Sequence, residues 1–180
     1  MSFLETISIV RAVPEDVCGI QELLYVSELA TYPSAEHRIT AEDIERHYED
    51  RHNPNAIEWR RAQIASPKSG EHKFVAKSNG DIIGACFANC FTYGNELHVL
   101  YVHPDHFRKG IGSMLWKAAE ATLDEKKGTT LGVAAYNRRA IAFYKRHGFA
   151  IVGPVNPDRA AIRNGKPIPV IEMEKPGRGK

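Results

Sequence analysis

The segment from Leu97 to Trp116 restricts the fold of this chain more than any other stretch. An apolar run with strand character ends at about Val102, and a polar loop follows. The loop leads through Arg108-Lys-Gly-Ile-Gly-Ser113 into an amphipathic helix, which we place at Gly110 to Lys127. A strand, a glycine-bearing turn and a helix in immediate succession favour a mixed α/β domain.

The turn has the chemistry of an oxyanion site. Gly110 and Gly112 let backbone N–H groups approach an anion, and the helix N-terminus adds partial positive charge to that of Arg108 and Lys109. It matches neither the phosphate loop GxxxxGKS/T nor the fingerprint GxGxxG, whose third glycine position is Leu115 here. We interpret it as a pyrophosphate-binding turn, and a plain helix cap with two surface cations is the alternative.

The 180 residues are predicted to form one mixed α/β domain over 1–174, followed by a disordered tail over 175–180. The tail is charged, lacks apolar residues and is broken by Pro and Gly. Periodicity predicts strands at 7–13, 74–76, 82–91, 97–102, 129–135, 150–153 and 170–173. It predicts helices at 14–30, from 40 to a break at Asn53-Pro54, from that break to 65, at 110–127 and at 138–147.

A second pattern begins directly after the fifth predicted strand and runs from Asn137 to Phe149. Asn137 is predicted to cap a helix while its amide faces a ligand. Ala140, Phe143 and Tyr144 share one helix face by their spacing. The alternative is that the aromatic residues belong to the core, with the Tyr144 hydroxyl at its edge.

Together these two segments resemble the GNAT superfamily of N-acetyltransferases. Arg108 to Ser113 is similar to motif A of the family, and Asn137 to Phe149 is similar to its motif B, Asn-x-x-Ala-x-x-Phe-Tyr-x-x-x-Gly-Phe. The family has Gln or Arg where this chain has Phe107, and Arg108 lies next to it. The resemblance implies a mixed, mostly antiparallel sheet of about seven strands, splayed in a V between strands 4 and 5 and flanked by helices.

The resemblance also implies an acetyl-CoA-dependent N-acetyltransferase, an acyltransferase with acetyl-CoA as co-substrate. Backbone groups of Leu100, Tyr101 and Val102 would pair with the pantetheine, and the N–H of Val102 or Tyr101 would polarise the thioester carbonyl. Tyr144 would protonate the departing thiolate. The other implied cofactor contacts are Arg108, Lys109, Gly110, Ile111, Gly112, Ser113, Asn137, Ala140 and Phe143.

The general base is expected to be Glu96, at the start of the fourth strand, where the histone acetyltransferases of this superfamily carry their glutamate. Strand periodicity places Glu96 on one face with His98, Leu100 and Val102. His98 and an ordered water are the alternatives, and so is a solvated Glu96 without a role. His98, His103 and His106 match no standard zinc spacing, so we expect no metal.

The acceptor is expected to be a small cationic amine such as a polyamine. Six acidic residues against two arginines between Glu36 and Asp50 would attract a cation, although a solvated helix face is the plainer interpretation. Thr40 to Ala65 also resembles bacterial spermine/spermidine acetyltransferases. A peptide α-amine, a protein lysine and other small amines remain alternatives, as does a CoA-binding sensor module without activity.

Composition excludes several function classes. The net charge of +2 is too balanced for a nucleic-acid coat, and no apolar window approaches the length of a membrane span. The N-terminus lacks the features of a signal peptide, and Cys18, Cys86 and Cys90 are expected to be free thiols, which favours the cytoplasm. A homodimer is possible by analogy with the family, supported only by the expectation that Trp59 and Trp116 are exposed.

Overall fold

The structure is a computed structural model, and it describes residues 6–154, 162–163 and 165–179. The described strands are β1 (Ile7–Arg11), β2 (Glu71–Ser78), β3 (Asp81–Cys90), β4 (Asn95–Val102), β5 (Thr129–Ala134), β6 (Ala150–Pro154), β7 (Ile162–Arg163), β8 (Lys166–Pro167) and β9 (Val170–Lys175). The helices are α1 (Val17–Leu29), α2 (Ala41–His47), α3 (Pro54–Ala65), α4 (Ile111–Glu120) and α5 (Arg138–Arg146).

Seven strands form one sheet in the order β1-β2-β3-β4-β5-β9-β6. All neighbours are antiparallel except β4 and β5, which run parallel. A parallel pair requires a crossover connection, and α4 provides it between β4 and β5. The predicted mixed, mostly antiparallel sheet with flanking helices is confirmed.

The two faces of the sheet bury separate sets of apolar side chains. On one face α4 contributes Ile111, Leu115 and Trp116, which pack with Tyr144 of α5 and with strand residues. On the other face α1 buries Ile20 and Leu23 against β2 and β3. The side chains of β4 therefore enter two different environments according to the face on which they lie.

Two predicted boundaries are corrected by long-range hydrogen bonds that sequence periodicity does not reveal. The α4 helix ends at Glu120 rather than Lys127, because the Asn95 amide donates to the carbonyls of Asp124 and Lys127 and holds that segment as a turn. The predicted tail also differs at its start: Lys175 is paired in β9, and the Arg178 N–H donates to the Glu125 carbonyl. Lys180 lies outside the described residues.

The expectation that Trp116 is exposed is wrong, since only 1% of this side chain is accessible, whereas Trp59 is 65% exposed. Trp116 lies on the apolar face of α4, where helix periodicity turns it toward the sheet. The three cysteines are free thiols, as predicted. Within the described ranges, no helix has the length and apolar content to cross a bilayer.

Candidate active site

The candidate site lies where β4 and β5 separate. The two strands pair only over three residues, from Asn95 with Thr129 to Leu97 with Leu131. Beyond Leu97 the strands diverge, and two cavities of about 420 Å³ and 430 Å³ open on either side of the gap. We call them the first and the second cavity. They share five lining residues, Tyr32, His98, Tyr101, Gly132 and Ala134, so they meet at the gap.

A bulge in β4 decides which side chains face which side. Phe87 of β3 is opposite Val99, but the next β3 residue, Ala88, is opposite Leu97, so His98 is an extra residue. The apolar cluster under α4 therefore contains Leu97 as well as Leu100 and Val102. Strict alternation along β4 would put Leu97 on the opposite face from the other two.

The bulge corrects the predicted position of Glu96. Strict alternation placed Glu96 on one face with His98, Leu100 and Val102, but Glu96 lines the second cavity and not the first. His98 does accompany it, with Nδ1 3.6 Å from Glu96 Oε1. Leu100 and Val102 line the first cavity only.

The same register fixes where the backbone of β4 points. The His103 N–H donates to the Ile83 carbonyl, so in the alternating antiparallel ladder the groups of Val102 and Leu100 point away from β3, toward the gap. The Ser27 hydroxyl reaches the Val102 carbonyl at 3.3 Å. The backbone of Tyr101 is directed at β3, so its expected pairing with a ligand does not fit this register.

The predicted oxyanion turn has the expected backbone form. Arg108 and Gly110 both have positive φ, 66° and 80°, and α4 begins at Ile111 with Gly110 as its cap. A Cβ on Gly112 would lie 3.3 Å from the Phe143 ring, so glycine there allows α5 to pack against the start of α4. The first N–H groups of a helix lack intrahelical acceptors and are free to bind an anion.

The first cavity brings together most of the residues that sequence reasoning proposed. All the expected cofactor contacts except Lys109 line it; the Lys109 Nζ instead lies 3.3 Å from His106 Nδ1. The Ser113 hydroxyl is 3.0 Å from His147 Nε2, and burial lowers the pKa of His147.

Sequence reasoning missed two arginines of this cavity, Arg139 and Arg146. The Arg139 guanidinium lies 3.7 Å from the centre of the Phe107 ring, the position where the family has Gln or Arg. With Arg108 they give the first cavity a cationic rim. Their place next to Asn137 in the second motif is the signal that could have identified them.

Tyr144 and Asn137 enter the first cavity from α5. Asn137 Oδ1 accepts the N–H of Ala140, which confirms the predicted cap. Tyr144 is 8% exposed, and burial, with a smaller contribution from Cys86, raises its pKa well above the usual value. The phenol therefore keeps its proton throughout the neutral range.

Three carboxylates are among the residues that line the second cavity. Glu96 and Glu172 border it, together with Glu28, which is 3% exposed and pairs with Arg163. The Asn89 amide lies 2.9 Å from His98 Nε2, so the lone pair that would make His98 a base already has a donor.

Four aromatic and charged side chains form a connected chain beside this cavity. Arg163 donates from Nε and from its terminal amino group to the two oxygens of Glu28, both at 2.6 Å. The Tyr101 hydroxyl donates to Glu28 Oε1 at 3.2 Å, and the Tyr32 hydroxyl is 2.5 Å from that of Tyr101.

The acidic segment between Glu36 and Asp50 borders neither cavity. Three of its acids pair within the protein: Glu42 with Arg46, Asp43 with Lys166 and Asp50 with Arg60. The prediction that this segment forms an acidic rim at the site is therefore wrong, and the carboxylates beside the second cavity are Glu28, Glu96 and Glu172. No cluster of His, Cys, Asp or Glu in the described part of the chain could hold a metal ion.

Comparison with known families assigns this architecture. The model of the acetyltransferase (GNAT) family matches residues 30–149, two thirds of the chain. The chain belongs to this family. The match includes the splayed strands, the α4 turn and α5, the elements that line the first cavity.

Individual relatives are more distant. The peptidyl-lysine N-acetyltransferase YjaB of Salmonella typhimurium is 34% identical over 83 residues, 46% of this chain and 52% of that protein. An uncharacterized N-acetyltransferase of Methanocaldococcus jannaschii is 37% identical over 42% of this chain and 38% of its own length. The chain thus matches about half or less of these curated relatives.

Among solved structures, the PaiA N-acetyltransferase of Thermoplasma acidophilum, in complex with coenzyme A, superposes with a TM-score of 0.74. It covers 95% of this chain and 99% of that one at 22% identity. YncA of Salmonella typhimurium, solved with acetyl-CoA, gives 0.62 at 20% identity, with coverages of 94% and 92%. At these identities the likeness concerns the fold.

The raised pKa of Tyr144 predicts a pH-dependent contribution to stability. A tyrosine in the unfolded chain titrates near pH 10, whereas folded Tyr144 still holds its proton there. Above about pH 10 unfolding therefore releases a proton, and the free energy of unfolding falls by about 1.4 kcal/mol per pH unit from this group. Tyr144→Phe removes that contribution. Between about pH 9 and about pH 11, the free energy of unfolding should therefore fall more steeply for the wild type than for the variant in urea titrations. Parallel curves of unfolding free energy against pH would contradict the raised pKa of Tyr144.

Proposed function

We propose that this protein transfers the acetyl group of acetyl-CoA directly to a primary amine. The observation that carries the proposal is the early end of the β4–β5 pairing, which creates two cavities that meet at one gap. Acetyl-CoA enters from the first cavity and the amine from the second. The thioester and the nitrogen then meet beside the five shared residues.

The first cavity fits the chemistry of coenzyme A. The backbone of Leu100 and Val102 points into the gap and can pair with the pantetheine amides, as an added strand would. The Gly110 turn offers N–H donors to the pyrophosphate, and Arg108, Arg139 and Arg146 offer positive charge. Arg139, stacked on Phe107, takes the role of the family's polar residue at that position.

The reaction needs a deprotonated amine. An alkyl ammonium with a pKa of about 10.4 must lose a proton before its nitrogen can attack the thioester carbonyl. Attack forms a C–N bond and moves the carbonyl electrons to oxygen, where the Val102 N–H is the donor we assign. Collapse of this intermediate breaks the C–S bond and releases the CoA thiolate, and the second proton of the nitrogen passes through water to that thiolate, which leaves as the thiol.

Tyr144 stabilises the departing sulfur by donating a hydrogen bond to it. A thiol such as cysteine has a pKa of about 8.5, whereas burial raises the pKa of Tyr144 far above that. Complete proton transfer from the phenol to the thiolate is therefore uphill. A hydrogen bond from a proton that stays on Tyr144 replaces the general-acid role expected from the sequence.

Glu96 is the base we assign. Glu96 belongs to the last three residues of β4 that pair with β5, so it lies where the gap begins. It also borders the cavity assigned to the amine. His98 is the weaker candidate because the Asn89 amide already faces its Nε2. Glu96 reaches the amine directly or through one water.

The acceptor we propose is a cationic amine, with spermidine as the test compound. The carboxylates of Glu96 and Glu172 border the second cavity and favour a positive ligand. A lysine side chain is the second candidate, and the relative named as a peptidyl-lysine acetyltransferase favours it.

The deciding experiment incubates the protein with acetyl-CoA and, separately, spermidine, a lysine-containing peptide and a peptide with a free N-terminal alanine. Free thiol and acetylated product are measured together, because hydrolysis alone also releases thiol. Acetylated spermidine or peptide identifies the acceptor class. Binding of acetyl-CoA without any acetylated product would favour a sensor module over an enzyme.

Substituting Gly110 tests the pyrophosphate turn. Gly110→Asp introduces a negative charge at the helix start and should raise the Kd of coenzyme A by about tenfold, equivalent to about 1.4 kcal/mol, in calorimetry. Gly110→Asn is the matched control, because Asn has the same shape, tolerates positive φ and carries no charge. Equal affinities for the two variants would show that charge at this turn does not matter.

Tyr144→Phe should lower kcat by about 10- to 100-fold, the value of a hydrogen bond to a charged group. The KM for acetyl-CoA should change little, because the phenol acts only as the sulfur becomes negative. Single-turnover kinetics ensure that chemistry is the step observed. A wild-type rate under those conditions would remove Tyr144 from the mechanism.

Glu96→Gln should reduce kcat/KM near neutral pH by about 100-fold or more and flatten the acidic limb of its pH profile. Raising the pH should partly restore the rate, since more of the amine is then already neutral. Profiles from about pH 6 to about pH 10 for both proteins decide the matter. Curves that stay parallel would indicate a binding or structural role instead.

A further inference from the structure

The hydrogen-bond chain from Arg163 to Tyr32 has a fixed direction. Arg163 has only donors, and the carboxylate of Glu28 that it pairs with has only acceptors. Tyr101 therefore donates its single hydroxyl proton to Glu28, the direction the geometry shows. With that proton committed, the Tyr101 oxygen can only accept, so the short contact with Tyr32 uses the proton of Tyr32.

The far end of this chain lies where the two cavities meet. Tyr32 lines both cavities, and its one proton is turned toward Tyr101. The remaining lone pairs of its oxygen can only accept a hydrogen bond. Since Tyr32 can only accept hydrogen bonds from a ligand where the cavities meet, it favours a ligand that carries N–H donors.

We propose that the Tyr32 hydroxyl oxygen accepts a hydrogen bond from the acceptor amine and so aims its nitrogen at the thioester. This inference rests on the proposed acetyl transfer and names a binding residue for its second substrate. Glu28 and Arg163 are positioning residues, because they act on the amine only through the direction they impose on Tyr101 and Tyr32. The arrangement favours ammonium and amine groups and disfavours carboxylates, which have no proton to offer.

The residues around Tyr32 hold it in position and keep its hydroxyl protonated. The Tyr136 hydroxyl donates to the Tyr32 carbonyl at 2.8 Å, which anchors its backbone, and the Arg163 guanidinium lies 5.7 Å from the centre of its ring. Burial, followed by the charge of Glu28, raises the pKa of Tyr32 to about 12. The phenol therefore stays protonated near neutral pH, and Tyr32 binds the amine without serving as its base.

Two cationic ligands separate the hydrogen bond from simple charge attraction. Spermidine carries N–H donors, whereas its fully quaternised methyl derivative keeps the positive charges and has none. We measure the Kd of each by calorimetry with the protein saturated with coenzyme A, so that no turnover occurs. Tyr32→Phe should raise the Kd of spermidine by about tenfold, as expected for a hydrogen bond to a charged group. The Kd of the quaternary ligand should change less than about twofold.

Two further variants test the direction of the chain. Tyr101→Phe leaves the Tyr32 oxygen in place as an acceptor but removes the group that holds its proton away from the ligand, so the Kd of spermidine should rise by about threefold, less than with Tyr32→Phe. Tyr48→Phe is the matched control: it also removes a buried phenol whose pKa burial and the charge of Glu28 raise, but Tyr48 borders neither cavity. It should lower thermal stability and leave both ligand affinities unchanged.

The outcomes distinguish this inference from the proposed function. Failure of wild type to bind coenzyme A would overturn the proposed function. Intact coenzyme A binding with no spermidine binding, or equal weakening of both ligands by Tyr32→Phe, would overturn the role of Tyr32. Unchanged spermidine affinity in Tyr101→Phe would show that Tyr32 is not oriented through Glu28. In kinetics with spermidine, Tyr32→Phe should raise KM for the amine more than it lowers kcat.

Discussion

The divergence of β4 from β5 after Leu97 is the constraint on which the rest of the site depends. A parallel pair that continued would bond the backbone of Leu100 and Val102 to β5 and fill the space between the strands. Because the pairing stops, these groups point into a gap, where the Val102 carbonyl accepts from the Ser27 hydroxyl and a ligand amide or water can satisfy the others. The α4 crossover that parallel pairing requires then brings its glycine-bearing start to the mouth of that gap. Topology alone therefore produces both an open strand edge and an anion-binding helix end.

The charges around the gap are separated by the sheet. Three arginines line the first cavity, as a polyanionic nucleotide requires, whereas three carboxylates border the second, together with Arg163, which is paired with Glu28. Where the cavities meet, the side chains are mostly uncharged, including Tyr32 and Tyr101, whose pKa values burial raises. A field of this shape draws an anion and a cation toward the same point from opposite sides.

Local signals predicted the parts of the site that depend on local chemistry. The Gly110 turn and the Asn137 cap follow from residues within one or two helical turns, and both are present. The facing of Glu96 could not be predicted, because the bulge at His98 arises from the register between β3 and β4, and a shift of one residue reverses the face. Arg163 could not be placed either: it meets Glu28 across 135 residues of sequence, from a two-residue strand without a periodic pattern. The burial of Trp116, by contrast, follows from the helical period of α4, which puts it on the same apolar face as Ile111 and Leu115.

The ion pair of Arg163 with Glu28 contributes more to the orientation of neighbouring hydroxyl groups than to the stability of the fold. Both side chains are largely removed from water, 14% and 4% exposed, and such pairs gain little over apolar residues of the same size. Arg163 lies in the short hairpin of β7 and β8, which also carries Lys166, and the Lys166 Nζ lies 2.7 Å from an Asp43 carboxylate oxygen. Asp43 also accepts a hydrogen bond from the Thr40 N–H at the start of α2. Two ion pairs thus fix one hairpin to α1 and α2 and place a guanidinium behind Glu28. An apolar pair could hold the hairpin equally well, but it could not dictate which way the hydroxyl protons of Tyr101 and Tyr32 point. Under our proposal, the direction imposed on these hydroxyl protons, rather than added stability, accounts for burying the two charges beside the gap.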